Sequence, residues 1–341
     1  MKPAIAITMG DPTGVGPEVI LKAVSDKNIR RLCNPVILGD EAVFKYLISN
    51  FQFPISNFKI INLSNLNPAK LKPGKPDTAC AEAMMAYIRE AVRMAEADDV
   101  DAIVTGPISK EAINKAGYNF HGHTEFLAHL TKTKDFRMML AGSALKVILV
   151  TIHESIKNVP GLLTKENIFK TIKITNESFK RYFGIQKPRI AVAALNPHAG
   201  EGGLFGDEEK RIIIPAVKKA RQLGIHASYP LPPDTLFYRA VKNKEFDCVV
   251  CMYHDQGLIP LKLLHFEDGV NVTLGLPIIR TSVDHGTAYD IAWKGIANPA
   301  SMKAAIEMAV EIVVREKKMG VVRKRGAAQQ GYFRVCASRW I

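Results

Sequence analysis

The sequence predicts an α/β protein with mixed, largely parallel sheets, arranged as two α/β/α domains whose sheets are continuous across an interdomain cleft. Three observations carry this expectation. Short runs rich in Val, Ile and Ala recur and are apolar at nearly every position, the pattern of strands covered on both faces. Segments with helical periodicity separate them. The 341 residues contain no internal repeat and no low-complexity linker, which fits two domains in direct contact with a site in the cleft between them.

From the N-terminus, Ala4–Met9 is the first strand, and Gly10-Asp11-Pro12-Thr13-Gly14-Val15-Gly16-Pro17-Glu18 turns it into a helix over Glu18–Val24. This loop lacks a Rossmann fingerprint, because Val19 stands where the third glycine belongs, and no Gly-Lys-Ser/Thr follows. Two readings stand: a loop offering backbone N–H groups to a phosphate, or a tight strand-to-helix turn. Val36–Leu38 and Phe58–Asn62 are the next strands, Ala79–Ala97 a helix and Asp101–Thr105 a strand. Gly106-Pro107-Ile108-Ser109-Lys110 and His121-Gly122-His123-Thr124-Glu125 follow, with a lysine, histidines and a threonine suited to an anion or, at Thr124, to a helix cap. Strands Lys146–Ile152, Arg189–Leu195, Asp247–Tyr253 and Val270–Leu274 and helices Lys165–Phe183, Asp207–Leu223 and Pro299–Lys317 complete the pattern.

Hydrophobic residues make up 47% of the chain and charged residues 23%, ordinary for a globular protein and unlike a disordered or collagenous one. No apolar run has the length of a membrane span, and the N-terminus has no signal-peptide pattern. Five scattered cysteines do not make a secreted disulfide framework, so a cytoplasmic protein is expected. Cys248-Val249-Val250-Cys251 has redox spacing, but within a strand its cysteines face opposite ways, and core packing is expected. The net charge of +13 is partly local: Arg323, Lys324, Arg325, Arg334 and Arg339 fall in a tail that carries no acid. Without interleaved aromatics or zinc-finger spacing, the charge favours small anionic substrates over nucleic acid.

Three histidines stand just past three apolar strands: His153, His198 and His254. That edge of an open α/β sheet is where ligands bind, and three imidazoles can hold a divalent metal with one position open. Surface or cap histidines are the alternative, in about even balance. Asp255 beside His254 is either an orienting partner or a turn residue. Lys262, Asn271 and Arg280 around the last strand could clamp a carboxylate or phosphate.

Ser282-Val283-Asp284-His285-Gly286-Thr287-Ala288-Tyr289-Asp290-Ile291-Ala292, ending in Gly295-Ile296-Ala297-Asn298-Pro299, resembles the nicotinamide-cofactor loop of isocitrate and isopropylmalate dehydrogenases, which lack a Rossmann fingerprint. The ordered set Thr8–Glu18, Thr105–Lys110, Gly122–Leu127, Leu195–Glu201, Tyr253–Gly257 and Val270–Pro277 resembles a narrower family, the 4-hydroxythreonine-4-phosphate dehydrogenases of vitamin B6 synthesis.

The resemblance implies two domains, 1–125 with 282–322 and 126–281, with 323–341 matching nothing in the family. It implies a divalent metal (zinc, magnesium or cobalt) on His153, His198 and His254, and substrate contacts from His123, Thr124, Lys262, Asn271 and Arg280. NAD or NADP would sit on Asp284, His285, Gly286, Thr287 and Asn298, with Asp234 or Asp255 as proton acceptor. It further implies a homodimer with the active site at the subunit interface, and neither nucleic-acid nor membrane partners. The expected reaction is oxidation of a phosphorylated β-hydroxy acid followed by decarboxylation. Rival readings are a D-threonate or D-erythronate 4-phosphate dehydrogenase and a phosphotransacetylase-like acyltransferase.

Overall fold

The computed structural model describes residues 2–51, 53, 59–120 and 122–320. Phe58, His121 and the basic tail therefore lie outside the described residues. The described chain forms strands β1 (Ala4–Thr8), β2 (Asn34–Gly39), β3 (Lys59–Asn62), β4 (Ala102–Thr105), β5 (Arg137–Ala141), β6 (Lys146–Leu149), β7 (Ile190–Ala193), β8 (Ala227–Leu231), β9 (Cys248–Cys251), β10 (Val270–Leu274) and β11 (Arg280–Val283). Its helices are α1 (Gly16–Ser25), α2 (Lys27–Leu32), α3 (Glu41–Phe51), α4 (Thr78–Glu96), α5 (Lys110–Lys115), α6 (His123–Leu130), α7 (Val159–Leu162), α8 (Lys165–Phe183), α9 (Ile214–Gln222), α10 (Pro233–Val241), α11 (His254–Leu264) and α12 (Ala300–Lys318).

One mixed sheet runs through the molecule in the order β3-β2-β1-β4-β11-β10-β5-β6-β9-β7-β8. The block β3-β2-β1-β4-β11 is parallel throughout, and so is the block β6-β9-β7-β8. Between them, the pairings β11–β10, β10–β5 and β5–β6 are antiparallel. The α/β class and the largely parallel pairing match the expectation. The fully apolar runs are central strands packed on both faces, as their composition requires.

Alternation along the strands sorts the core. Met139, Ile148, Val192, Cys248 and Val250 join the larger apolar cluster. Leu140, Val147, Leu149, Ala193, Val249 and Cys251 join a second cluster with Leu236 of α10 and Leu261 of α11. Cys248 and Cys251 thus lie on opposite faces as buried free thiols, both held above their ordinary pKa by burial.

Local signals explain several boundaries. Asp77 accepts from the Cys80 N–H at 2.9 Å and starts α4. Thr164 accepts from the Asn167 N–H at 3.1 Å at the start of α8, which ends on Gly184 at φ +68°.

Three strands escape the apolar-run criterion. β8 (Ala-Ser-Tyr-Pro-Leu) is an edge strand, where Pro230 is tolerated. β5 and β11 carry Arg137, Arg280, Thr281 and Ser282, and β11 is polar because part of it lines a cavity. The helix expected over Asp207–Leu223 opens with a π-helical turn at Glu209–Ile213, immediately before Pro215, which has no N–H to give the ladder. None of the described helices is long and apolar enough to cross a membrane.

Candidate active site

A cavity of about 310 Å³ lies over the antiparallel strands that join the two parallel blocks. Its floor is set by the two-residue period of paired strands. Asn271 of β10 sits opposite Leu140 of β5 and Ser282 of β11, and all three line the cavity. Thr105 and the Gly106–Ile108 turn supply one wall, with His123, Thr124 and Glu125 from the first turn of α6. His153, which follows β6, and His254, the first residue of α11, stand at the opposite side. Close packing of α11 on the sheet requires Gly257: a Cβ there would lie 3.0 Å from Cys251 Sγ and 3.2 Å from Val147 Cβ.

Arg280 dominates the electrostatics. It is 1% exposed, donating from Nη1 to Thr273 Oγ1 at 3.1 Å and from Nη2 to Thr105 Oγ1 at 2.7 Å, while its Nε has no protein partner. Among the described residues it forms no salt bridge, and Glu125 is the acid whose charge reaches it. Burial lowers its pKa to about 9, still well above neutrality, so a buried positive charge faces the cavity. Such a charge is costly unless an anion completes it. Burial, then the Arg280 charge, hold His123 well below the ordinary histidine pKa, so its imidazole is neutral. His123 Nε2, Asn271 Oδ1 and His285 Nε2 are likewise buried without a protein hydrogen bond. Unsatisfied polar atoms converging on one cavity mark a place where a polar ligand binds.

Of the three strand-end histidines, the fold brings two together. β6 and β9 are parallel neighbours, and the His153 and His254 rings lie 5.7 Å apart. His254 Nδ1 donates to Asp255 Oδ1 at 2.7 Å, which orients the ring and leaves Nε2 for a ligand. His198 does not join them within one chain. β7 lies beside β9, but after it the chain enters a turn in which His198, Ala199, Gly200, Glu201, Gly202 and Gly203 all have positive φ. Three of these are not glycine, a strained run. The buried Glu209 carboxylate anchors the entry to this turn by accepting from the Leu195 and Asn196 N–H groups, both at 2.8 Å. The His198 ring faces outward, beside Glu201 and Phe205. No cluster of three or more metal-ligating side chains occurs among the described residues. Two imidazoles, one held by a carboxylate, fit the donor chemistry of a divalent metal but leave the set incomplete within one chain.

Asp234 is exposed in the first turn of α10 and does not line the cavity. Asp255 is engaged by His254. Lys262 stands one residue back from the wall, held at 2.5 Å by the carboxylate of Asp284, which does line it.

Asp284, His285 and Gly286 reach the cavity, whereas Thr287 and Asn298 do not. The Thr287 carbonyl accepts from the Val15 N–H at 3.0 Å, and Asn298 Oδ1 accepts from the Ala300 N–H at the start of α12. His285 Nδ1 donates to the Gly286 carbonyl at 2.9 Å, and burial lowers its pKa, so the bare Nε2 is a neutral acceptor. That acceptor fits a hydroxyl or amide donor of a nicotinamide nucleotide. The Gly10–Glu18 segment is a tight strand-to-helix turn that docks the 287–297 segment, and it does not line this cavity.

Lys110, the lysine that the sequence offered to an anion, also lines the cavity, as do Glu125 and Thr105, which were not singled out. Lys110 and Glu125 stood in loops whose chemistry was visible, whereas Thr105 closes an apolar strand and gave no separate signal.

The fold and cavity define an α/β protein with a buried guanidinium facing a cavity at the seam of a mixed sheet. The description "Pyridoxal phosphate biosynthetic protein PdxA" matches residues 31–309, and the chain belongs to this family. A relative from Geobacter metallireducens named 4-hydroxythreonine-4-phosphate dehydrogenase is 52% identical over 326 residues, covering 91% of this chain and 96% of its own. A relative from Oceanobacillus iheyensis, provisionally named D-threonate 4-phosphate dehydrogenase, is 42% identical over 91% of this chain and 98% of its own. The crystal structure of 4-hydroxythreonine-4-phosphate dehydrogenase from Klebsiella pneumoniae superposes with a TM-score of 0.84 at 42% identity, over 92% of this chain and 98% of that one.

Proposed function

We propose that the chain oxidises 4-phosphooxy-L-threonine with NAD or NADP, giving 2-amino-3-oxo-4-phosphooxybutanoate, which loses CO2 to form 3-amino-2-oxopropyl phosphate. The observation that carries this reading is the buried Arg280 guanidinium, with no salt bridge among the described residues, at a cavity flanked by two histidines. The names of its relatives support the substrate.

Arg280, with Thr124, Asn271 and neutral His123, holds an anionic end of the substrate. Lys262 steadies Asp284 at the wall and adds positive charge behind it. The secondary alcohol sits toward His153 and His254, where a divalent metal, when bound, supplies Lewis-acid stabilisation of developing negative charge. The cofactor takes up the hydride, and the segment from Asp284 to Asn298 is its seat, with Asp284, His285 and Gly286 nearest the substrate.

The working unit is a homodimer. Leu204 and Phe205 beside His198, Tyr238 on α10, and Ile259, Leu263 and Phe266 on and after α11 are all exposed, with Leu263 at 85%. Apolar side chains gathered around the two incomplete features of the site favour burial against a second copy. The partner subunit's His198 then completes the metal set, and the partner's Asp234 comes with it, because α10 packs against the same turn.

A second reading is supported by relatives from Oceanobacillus iheyensis and Salmonella typhi named for D-threonate 4-phosphate: oxidation of D-threonate or D-erythronate 4-phosphate, which present a phosphate and a carboxylate to the same clamp. The deciding experiment is NADH formation from 4-phosphooxy-L-threonine beside the two sugar-acid phosphates, with and without chelator and metal add-back. Turnover of the amino acid alone supports the first reading, and preference for a sugar acid replaces it with the second. No NADH or NADPH from any of them by metallated dimer, supplied with NAD and with NADP, refutes both.

A further inference from the structure

Helix α1 carries an ion pair that the substrate and metal chemistry leave unused. Glu18 is fully buried, and Lys22, one turn on, reaches its Oε1 at 2.8 Å. Both side chains grip the same short stretch of backbone, more than 270 residues away in sequence. Glu18 Oε2 accepts from the Gly295 N–H at 3.1 Å, and Oε1 accepts from the Ala297 N–H at 2.7 Å. Lys22 Nζ donates to the Gly295 carbonyl at 2.9 Å and to the Ala297 carbonyl at 2.7 Å. Every backbone polar group of these two residues therefore ends on one i, i+4 pair.

This is a specific arrangement. A carboxylate alone satisfies only the N–H groups and an ammonium only the carbonyls. Together they fix both orientations of the turn and neutralise each other in a place where a lone charge would be costly. Gly295 has φ +73°, a conformation the clamp holds from both sides. The same segment is tied down further along by Tyr289 Oη donating to the buried Asp11 carboxylate at 2.6 Å, and by Trp293 Nε1 donating to the Pro12 carbonyl at 3.0 Å.

We propose that Glu18 and Lys22 are positioning residues that hold the 295–297 turn in the shape that binds the nicotinamide cofactor, and so set cofactor affinity without touching substrate. The proposal rests on the reading above that the 284–298 segment seats that cofactor. The Gly-rich first loop and α1 then serve as the template for a cofactor seat.

The test uses Glu18→Gln, Lys22→Met and Lys22→Arg in the full-length metallated protein. Gln places an N–H group where Glu18 accepts, Met removes the ammonium, and Arg keeps a donor cation. NADH binding is followed by fluorescence, steady-state KM values are taken for each substrate separately, and amide exchange is read at Gly295 and Ala297. The expected result is a cofactor Kd and KM raised about tenfold in Glu18→Gln and Lys22→Met, with phosphorylated-substrate KM and kcat little changed. Exchange at both amides accelerates, and Lys22→Arg recovers much of the affinity. Should Lys22→Met fail to fold, Glu18→Gln and Lys22→Arg carry the comparison. Faster exchange with unchanged cofactor affinity overturns the proposal. Absence of both NADH and NADPH binding by the unmodified protein is seen before any variant is made; it refutes the cofactor-seat reading and this inference with it, and where only NADPH binds, the same measurements are made with it.

Discussion

Arg280 Nη2 donates to Thr105 Oγ1 at 2.7 Å across the parallel pairing of β11 with β4, so the guanidinium is aimed by the sheet itself. A second hydroxyl, Thr273 on β10, fixes Nη1 at 3.1 Å. Neutral hydroxyls orient the cation without neutralising it, and its charge remains available to a ligand.

Replacing this cation by an isosteric apolar chain separates binding from stability. Arg280→Met is expected to raise substrate KM by about 100-fold, the loss of roughly 3 kcal/mol of charge-assisted hydrogen bonding. Thermal stability should hold or rise, because an uncompensated buried charge is removed. Steady-state kinetics and calorimetry on the same variant check both halves.

His123 makes stability pH-dependent in a defined direction. The unfolded imidazole takes a proton below about pH 6.5, whereas the folded one, held well below that by burial and Arg280, stays neutral. The unfolded state therefore binds more protons as pH falls below 6.5, and stability drops through that window. His123→Asn should reduce the loss between pH 7.5 and 5.5, by on the order of 1 kcal/mol, measured as urea midpoints at the two pH values.

The Asp255 carboxylate holds His254 Nδ1 at 2.7 Å. Asp255→Asn should weaken divalent-metal binding about 10- to 100-fold while leaving NADH affinity unchanged. Titration calorimetry with the metal alone is the measurement.

Splitting the site between subunits predicts complementation. His198→Ala and His254→Ala homodimers should each be inactive. Mixed after refolding together, they should recover about a quarter of wild-type activity, since half the dimers are hybrids with one intact site each. No recovery from hybrids isolated by tag would overturn the shared site and place His198 and His254 in one subunit, whereas full activity of the His198→Ala homodimer would place His198 outside the reaction.

The sequence and the fold agree most closely where residues act locally. Strands buried on both faces, such as Ile190–Ala193 and Cys248–Cys251, reveal themselves by unbroken apolar composition. The same criterion misses β11, because Arg280 and Ser282 are polar in order to line the cavity. The sequence offered His153, His198 and His254 as equivalents past strand ends, and the parallel pairing of β6 with β9 brings the first and last of them together. His198 does not join them, because positive φ values from His198 to Gly203 carry it away from the other two, and nothing in the composition of Pro-His-Ala-Gly-Glu-Gly-Gly states that direction. The Gly10–Glu18 loop kept two readings until its partners were known, since Asp11, Val15 and Glu18 all bond residues beyond position 286.

By itself, the sequence determined the α/β class and most of the strands, and its ordered motifs carried the resemblance to a phosphate-handling dehydrogenase family. The class and the strands follow from local composition and periodicity, which a linear chain displays. Tertiary structure alone decided that Arg280 is buried with no salt bridge among the described residues, that His153 and His254 meet without His198, and that Glu18 and Lys22 close on Gly295 and Ala297. Each of these depends on which distant segments share a sheet edge or a helix face, a long-range pairing set by the packing of the whole sheet.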